Sequence, residues 1–186
     1  TVGLQDAEPT IRKALAIGAD DAIRVNAEAL DAWFVAQQIA AAVKDESYDL
    51  ILVGIESSDY NGAAVGGMLA ELLDLTSISA VSGVEFKGNE ITLHRDIDGG
   101  NETVQADLPL VAIVQKGIAK EPRIPAMRGI MMARKKPLQV VEPAEVQALT
   151  SYDHFELPQP KPSCKMIDPD HVEELVKLLQ NEAKVI

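Results

Sequence analysis

One cysteine, Cys164, is all this chain has, so no internal disulfide can staple it. It stands in a proline-rich polar stretch, which suits an unreactive surface thiol better than a nucleophile, and a reducing, cytosol-like compartment fits such usage. No apolar run reaches membrane-spanning length, and the residues after Thr1 do not form a signal peptide. Basic residues are few: 17 Lys and Arg stand against 29 Asp and Glu, a net charge of −12, which argues against nucleic acid as a main partner. The three histidines, His94, His154 and His171, are not placed at zinc-ligand spacing on an element that could present them, so no metal is assigned. The G-x-S-x-G elbow, the G-x-G-x-x-G fingerprint and the P-loop lysine are all missing. The lack of catalytic motifs favours a binding or carrier protein over an enzyme.

What is present is a well-stocked core. With 186 residues and 47% hydrophobic content, the chain is long enough to bury one and too apolar to be disordered. The most informative stretch is Asp49–Asp74. Leu50–Val53 is a short apolar run suited to a strand buried on both faces. Val65, Met68, Leu69, Leu72 and Leu73 form the apolar stripe of a helix predicted over Gly62–Leu73. Between them runs a polar loop with Gly54, Glu56, Ser57, Ser58, Asp59, Asn61 and Gly62. A strand, a small-residue loop and a helix start aim backbone N–H groups and a positive helix end at the mouth of a sheet, where phosphates bind. Gly62, Ala63, Ala64 and Gly66 leave the backbone open to a ligand. By itself the pattern is equally that of an ordinary strand-to-helix connection.

The remaining elements alternate. Thr1-Val2-Gly3 reads as the end of a strand whose beginning is absent. A helix follows, with Pro9 in its first turn, Ile11, Ala14 and Leu15 facing inward, and Gly18 as its stop. Ala22–Val25 is a short buried strand. Asp31–Val43 is a helix with Ala32, Val35, Ala36, Ile39, Ala40 and Val43 as its stripe, and Trp33 is read as a core residue. This alternation predicts a parallel, doubly wound α/β sheet. Ser77–Phe86, the turn Lys87-Gly88-Asn89 and Glu90–Asp96 then read as a hairpin, and the turn Asp98–Asn101 leads to Glu102–Ala106, an antiparallel insertion or edge. Pro109–Gln115 is a buried strand. Pro122 and Pro125 delay any helix to a short basic one over Arg128–Lys136, whose Arg134-Lys135-Lys136 end suits a helix C-terminus. Leu138–Val141 is a further strand. The linker Ser151–Lys165, with Pro158, Pro160 and Pro162, precedes a helix capped at Asp168-Pro169-Asp170 with Val172, Leu175, Val176 and Leu179 as its stripe.

Taken together, several stretches resemble one family, the β subunits of electron transfer flavoproteins. Thr10–Val25 (TIRKALAIGADDAIRV) is similar to its helix–turn–strand signature, Gly54–Gly66 to its nucleotide loop, and DIDGGNET at Asp96–Thr103 to its Gly-Gly hairpin turn. EPRIPAMRGIMMARKKP, Glu121–Pro137, is similar to its partner-docking loop and basic helix. The resemblance implies a Rossmann-like, adenine nucleotide alpha hydrolase-like fold: a mainly parallel doubly wound sheet with an antiparallel hairpin insertion and an extended C-terminal arm ending in a helix. It also implies further strand–helix units before Thr1, a nucleotide-binding domain over residues 1–145, and a linker and helix over 146–186 that pack on a partner.

The implied function is that of an electron carrier rather than an enzyme. The partner is the α subunit, which holds most of a FAD; this subunit binds AMP, or a second FAD in electron-bifurcating members. Nucleotide contacts would fall on Val2, Gly54, Glu56, Ser57, Asp59, Asn61, Gly62, Ala63, Ala64, Val65 and Gly66. Many relatives have polar side chains where this chain has Ala63, Ala64 and Val65, which leaves the grip there to backbone N–H groups. Arg123, Ile124, Met127, Arg128, Ile130 and Met131 would form the recognition loop, with Met127 as its anchor and Ile130 and Met131 able to turn inward. Donors would be acyl-CoA or other dehydrogenases and the acceptor a quinone oxidoreductase, in a bacterial cytoplasm or a mitochondrial matrix, with the chain not membrane-embedded. A stand-alone adenine-nucleotide-binding regulator of the universal-stress type would share such a sheet, but has no use for residues 121–137 or the arm. An ATP-using enzyme of the same fold group would need a more glycine-rich phosphate loop.

Overall fold

A computed structural model describes residues 1–88, 90–161 and 163–186, in two units, Thr1–Ser151 and Tyr152–Ile186. The first unit alternates as the sequence predicts: α1 (Glu8–Ile17), β1 (Ala22–Val25), α2 (Ala32–Val43), β2 (Leu50–Gly54) and α3 (Val65–Leu72). Then come β3 (Thr76–Lys87), β4 (Glu90–Ile97), β5 (Gly100–Ala106), β6 (Leu110–Val114), α4 (Met127–Ala133) and β7 (Leu138–Val141). The fold is mixed α/β, but its strands do not join one sheet. Among the described residues, β1 pairs only with β7 and, through a bridge, with Val2; the other five strands form a second sheet in the order β2-β6-β3-β4-β5. Among those residues no strand hydrogen-bonds both to Val2 and to β2, so each keeps an unpaired side.

β6 is the axis of the larger sheet. Its sequence LVAIV is buried over four consecutive residues, as a strand covered on both faces must be. It runs parallel to β2 on one side and to the first half of β3 on the other. The predicted hairpin and the strand after it form the antiparallel edge of this sheet: β3 changes partner along its length and turns antiparallel to β4, which pairs with β5. Asn89, in the predicted turn, lies outside the described residues. The turn between β4 and β5 is shorter than the sequence suggested. Ile97 already pairs with Gly100 and Asp96 with Asn101, so only Asp98 and Gly99 bend, and Gly99 takes φ +88 where a side chain would be strained. Ile78, Val81, Ile91, Leu93, Leu110 and Ala112 form the core of this sheet.

On the smaller sheet, α1 buries Ile11 and Leu15 with Ala133 of α4. Ala14, expected to face inward, is exposed, because the stripe is completed by α4 crossing close by. A Cβ on Gly129 would come within 2.6 Å of the Ala16 carbonyl oxygen. The two helices also satisfy each other's last carbonyls, which a helix cannot pair internally. Arg12 donates to the carbonyls of Ala133 (2.8 Å) and Lys136 (2.7 Å). Lys136 in turn donates to those of Leu15 (3.0 Å) and Ala19 (2.5 Å).

α2 departs from its predicted stripe. Phe34 is in the core with Val25 and Ala27, while Trp33, expected there, is only half-buried. Gln38 is buried as well. Its amide pairs both ways with the backbone of Ala144, Nε2 donating at 2.9 Å and Oε1 accepting at 2.8 Å. The chain after β7 therefore lies along α2, and its backbone at Ala144 pairs with Gln38 while the side chains of Val146 and Ala148 pack beside Phe34. The second unit contains α5 (Val172–Leu178), preceded by a turn at Pro169–His171 that Asp168 caps through the Asp170 N–H, as read from the sequence. Among the described residues no helix is long and apolar enough to cross a membrane.

Gly129→Val should lower the unfolding free energy by about 1–3 kcal/mol, since the close crossing of α1 and α4 leaves no room for a larger side chain. Gly62→Ala, at a position facing open space, should change it by less than about 0.5 kcal/mol. Urea denaturation followed by circular dichroism measures both.

Candidate nucleotide site and docking surface

The candidate nucleotide residues are set by how α3 leaves β2. Strand β2 ends at Gly54, and the chain turns at 58–60, where the Asn61 N–H donates to the Ser57 carbonyl at 2.9 Å. Asn61 and Ala63 both take left-handed backbone conformations, φ 49 and φ 46. These two residues keep Gly62–Ala64 out of the helix, so α3 begins at Val65, three residues later than predicted. Its N-cap is Ala64, which has no side-chain acceptor. The first-turn N–H groups are thus left without the partner that Ser, Asp or Asn would supply.

Gly54, Glu56, Ser57, Asp59, Asn61, Gly62 and Ala63 are all exposed on this loop, and Ala64 and Val65 are half-buried behind it. Gly66 packs against the sheet. It is buried, and a Cβ there would lie 2.8 Å from Ile113 Cγ1 on β6. Val2 lies beside the other sheet: it bridges Val25 and packs with Val25, Ala27 and Phe34. Asp59 accepts from the Tyr60 N–H at 3.0 Å. The Ser57 hydroxyl, then the backbone N–H groups of Asp59 and Tyr60, hold its carboxyl below the usual carboxylate range. The loop has no basic side chain, so an anion here would be met by backbone N–H groups and the end of the helix dipole. The open space at Gly62 and the uncapped start of α3 fit a phosphate in that way.

A cavity of about 810 Å³ lies at the other end of β2, lined by Ser47, Tyr48, Asp49, Leu50, Phe86, Gly88, Asp107 and Leu108. It takes in none of the candidate residues. Among the described residues no cluster of three or more His, Cys, Asp or Glu side chains could hold a metal ion.

The candidate docking segment follows β6. Residues 115–126 form no helix or strand, and α4 starts at Met127, earlier than the basic helix the sequence suggested. Ile124 is 86% exposed and Met127 76%. Ile130 and Met131, which could have turned inward, are exposed too, as is Met132. Gly129 and Ala133 occupy the inner face of so short a helix, and the larger apolar side chains are left outside. Arg128 is exposed. Arg123 instead turns back onto the domain, where its guanidinium donates to the Ile17 carbonyl at 3.3 Å, at the end of α1.

Residues 1–146 match the family model of the electron transfer flavoprotein domain. The chain belongs to the electron transfer flavoprotein family. Several of its relatives are named as β subunits. It is 36% identical to the electron transfer flavoprotein subunit beta of Bacillus subtilis, over all of this chain and 77% of that protein. It is 34% identical to that of Syntrophomonas wolfei, over 98% of this chain and 74% of that protein. To the human subunit it is 35% identical, over 77% of this chain and 58% of that protein. The electron transfer flavoprotein match covers both the loop after β2 and the docking segment.

Two left-handed non-glycine residues mark the loop as held rather than relaxed. Ala63→Val should destabilise the chain by about 1–3 kcal/mol, because a β-branched side chain is poorly accommodated at φ 46. Ala63→Gly should not. The denaturation midpoints of the two variants test this.

Proposed function

We propose that this chain is the β-type subunit of a heterodimeric electron carrier, with redox chemistry supplied by a FAD held mainly on an α subunit. The observation that carries this reading is the family match over residues 1–146. A flavin supplies electron transfer when bound; this chain contributes binding and orientation and is not itself an enzyme. Electrons would come from dehydrogenases, such as those acting on acyl-CoA, and pass to a quinone oxidoreductase or another acceptor. The working compartment would be a bacterial cytoplasm or a mitochondrial matrix.

On this reading residues 1–145 form a Rossmann-like nucleotide-binding domain, and residues 146–186 an arm that packs on the α subunit. The exposed apolar side chains of Phe155, Leu157, Val172, Leu175 and Val176 support that role for the arm. AMP would sit at the loop after β2, its phosphate met by N–H groups around Gly62–Val65. Gly54, Glu56, Ser57, Asp59 and Asn61 would border it, and Gly66 would act by letting α3 approach β6. Co-expression with an α subunit should yield a yellow heterodimer, and its extract should contain AMP and FAD in equal amounts. A colourless preparation that binds adenine nucleotide alone would favour the stand-alone regulator. FAD in place of AMP would indicate the bifurcating type. Ala64→Glu puts a carboxylate against the phosphate, so it should deplete AMP from the heterodimer; wild-type AMP content in this variant would overturn the site.

The segment of Ile124, Met127, Arg128, Ile130 and Met131 is the docking surface for electron donors. Exposed apolar side chains on a loop and a one-face helix suit interaction, and flexible Met side chains fit pockets of different shape. Burying one apolar anchor contributes about 1.5–3 kcal/mol. Met127→Ala should therefore slow reduction by a cognate dehydrogenase roughly ten- to hundredfold at subsaturating carrier. Flavin content should not change. Steady-state electron transfer measures the rate, and a wild-type rate would place the anchor elsewhere.

A further inference from the structure

Asp31 holds two segments far apart in sequence. Its Oδ1 accepts from the Phe34 N–H at 2.7 Å and caps α2. Its Oδ2 accepts from the backbone N–H groups of Leu149 (2.7 Å) and Thr150 (2.8 Å) and from the Thr150 hydroxyl (3.2 Å). These bonds, the Phe34 N–H foremost, keep its carboxyl below the usual range against the opposing effect of burial. With the Gln38–Ala144 amide pair and the packing of Val146 and Ala148 beside Phe34, Asp31 completes a clamp on residues 144–150. The first compact unit ends at Ser151. Helix capping alone needs one oxygen; the second is committed to the last residues before the chain leaves the unit.

We propose that Asp31 is a positioning residue for subunit association. It fixes the point at which the C-terminal unit leaves the domain, so the exposed Phe155 and Leu157 start from an ordered root when they meet the α subunit. This rests on the reading that the arm packs on that subunit. An ordered root reduces the conformational freedom lost on binding, and so strengthens association without touching the partner.

Asp31→Asn separates the capping of α2 from the hold on the strap. The amide oxygen still caps α2 through the Phe34 N–H, while the amide nitrogen, a donor, faces the N–H groups of Leu149 and Thr150. In the full-length chain, hydrogen exchange at Leu149 and Thr150 should accelerate at least about tenfold while α2 stays protected. The heterodimer dissociation constant should rise about tenfold. Ile91→Val, which trims the core in β4, controls for general loss of stability and should leave that constant unchanged. The double variant Phe155→Asp, Leu157→Asp tests the underlying reading, since it should weaken the heterodimer whatever happens at Asp31. If it does not, the packing of the arm on the α subunit is refuted and the proposal with it. If it does, but Asp31→Asn leaves either exchange or affinity at the wild-type value, the positioning role alone is overturned.

Discussion

The approach of α3 to β6 at Gly66 and Ile113 is the contact on which the candidate nucleotide loop depends. A Cβ at Gly66 would lie 2.8 Å from Ile113 Cγ1, so glycine lets the helix start lie directly on the central strand. β6 is buried and bonded on both sides, to β2 and to β3. The loop is thus suspended between the end of β2 and a helix packed closely on the same sheet. Residues 55–64 must span that distance, and the left-handed Asn61 and Ala63 are where the chain turns to do so. A loop shaped in this way presents N–H groups without help from its side chains.

The exposed apolar surface on α4 rests on a different constraint. α4 is seven residues long, too short to be stable from its own hydrogen bonds. It is held by Gly129 against Ala16 and by the exchange of end caps through Arg12 and Lys136. These contacts use the inner face and the C-terminal carbonyls, and they leave Met127, Ile130, Met131 and Met132 uncovered. Lys136 was legible in the sequence as part of a basic helix end. Its partners were not: it satisfies the carbonyls of Leu15 in α1 and of Ala19 just after it, rather than those of its own helix.

The order and type of the main elements were legible because each carries its own period. Leu50–Val53 and, within Pro109–Gln115, Leu110–Val114 are unbroken apolar runs, and both became strands of one sheet. The helix over Asp31–Val43 was placed within a residue of its observed start and at its observed end. The family, too, was legible from four short stretches in the right order. What could not be read was decided by distant partners. Gln38 and Arg24 are polar residues that are both buried, and their partners carry no sequence signal. Gln38 pairs with the backbone of Ala144; Arg24 donates to the Gly3 carbonyl and the Asn26 side chain, both at 2.9 Å, and approaches Glu8 at 3.3 Å. Phe34 took the core position expected of Trp33 for the same reason, since the strap after β7 chose which face of α2 to cover. The later start of α3 depended on left-handed Asn61 and Ala63, and an alanine in that conformation carries no sequence signal. The division into two sheets is a matter of which strands meet, and periodicity says nothing about that.

The segments proposed to meet ligand or partner share one design. Each leaves the core where a group distant in sequence ties it down: the loop after β2 where Gly66 meets Ile113, the docking segment where Arg123 and Lys136 reach the end of α1, and the arm where Asp31 binds Leu149 and Thr150. The hydrogen-bonded ties to α1 and α2 join residues more than 100 positions apart. Contacts of such separation carry a large loop-closure cost and form only when the rest of the chain is already in place. They cannot order these segments in an unfolded or partly folded chain. The exposed apolar residues of the docking segment, and the root of the arm at Leu149 and Thr150, are therefore held in a defined place only after the core that supports them has formed, and loss of any one tie should loosen one segment while leaving the others in position.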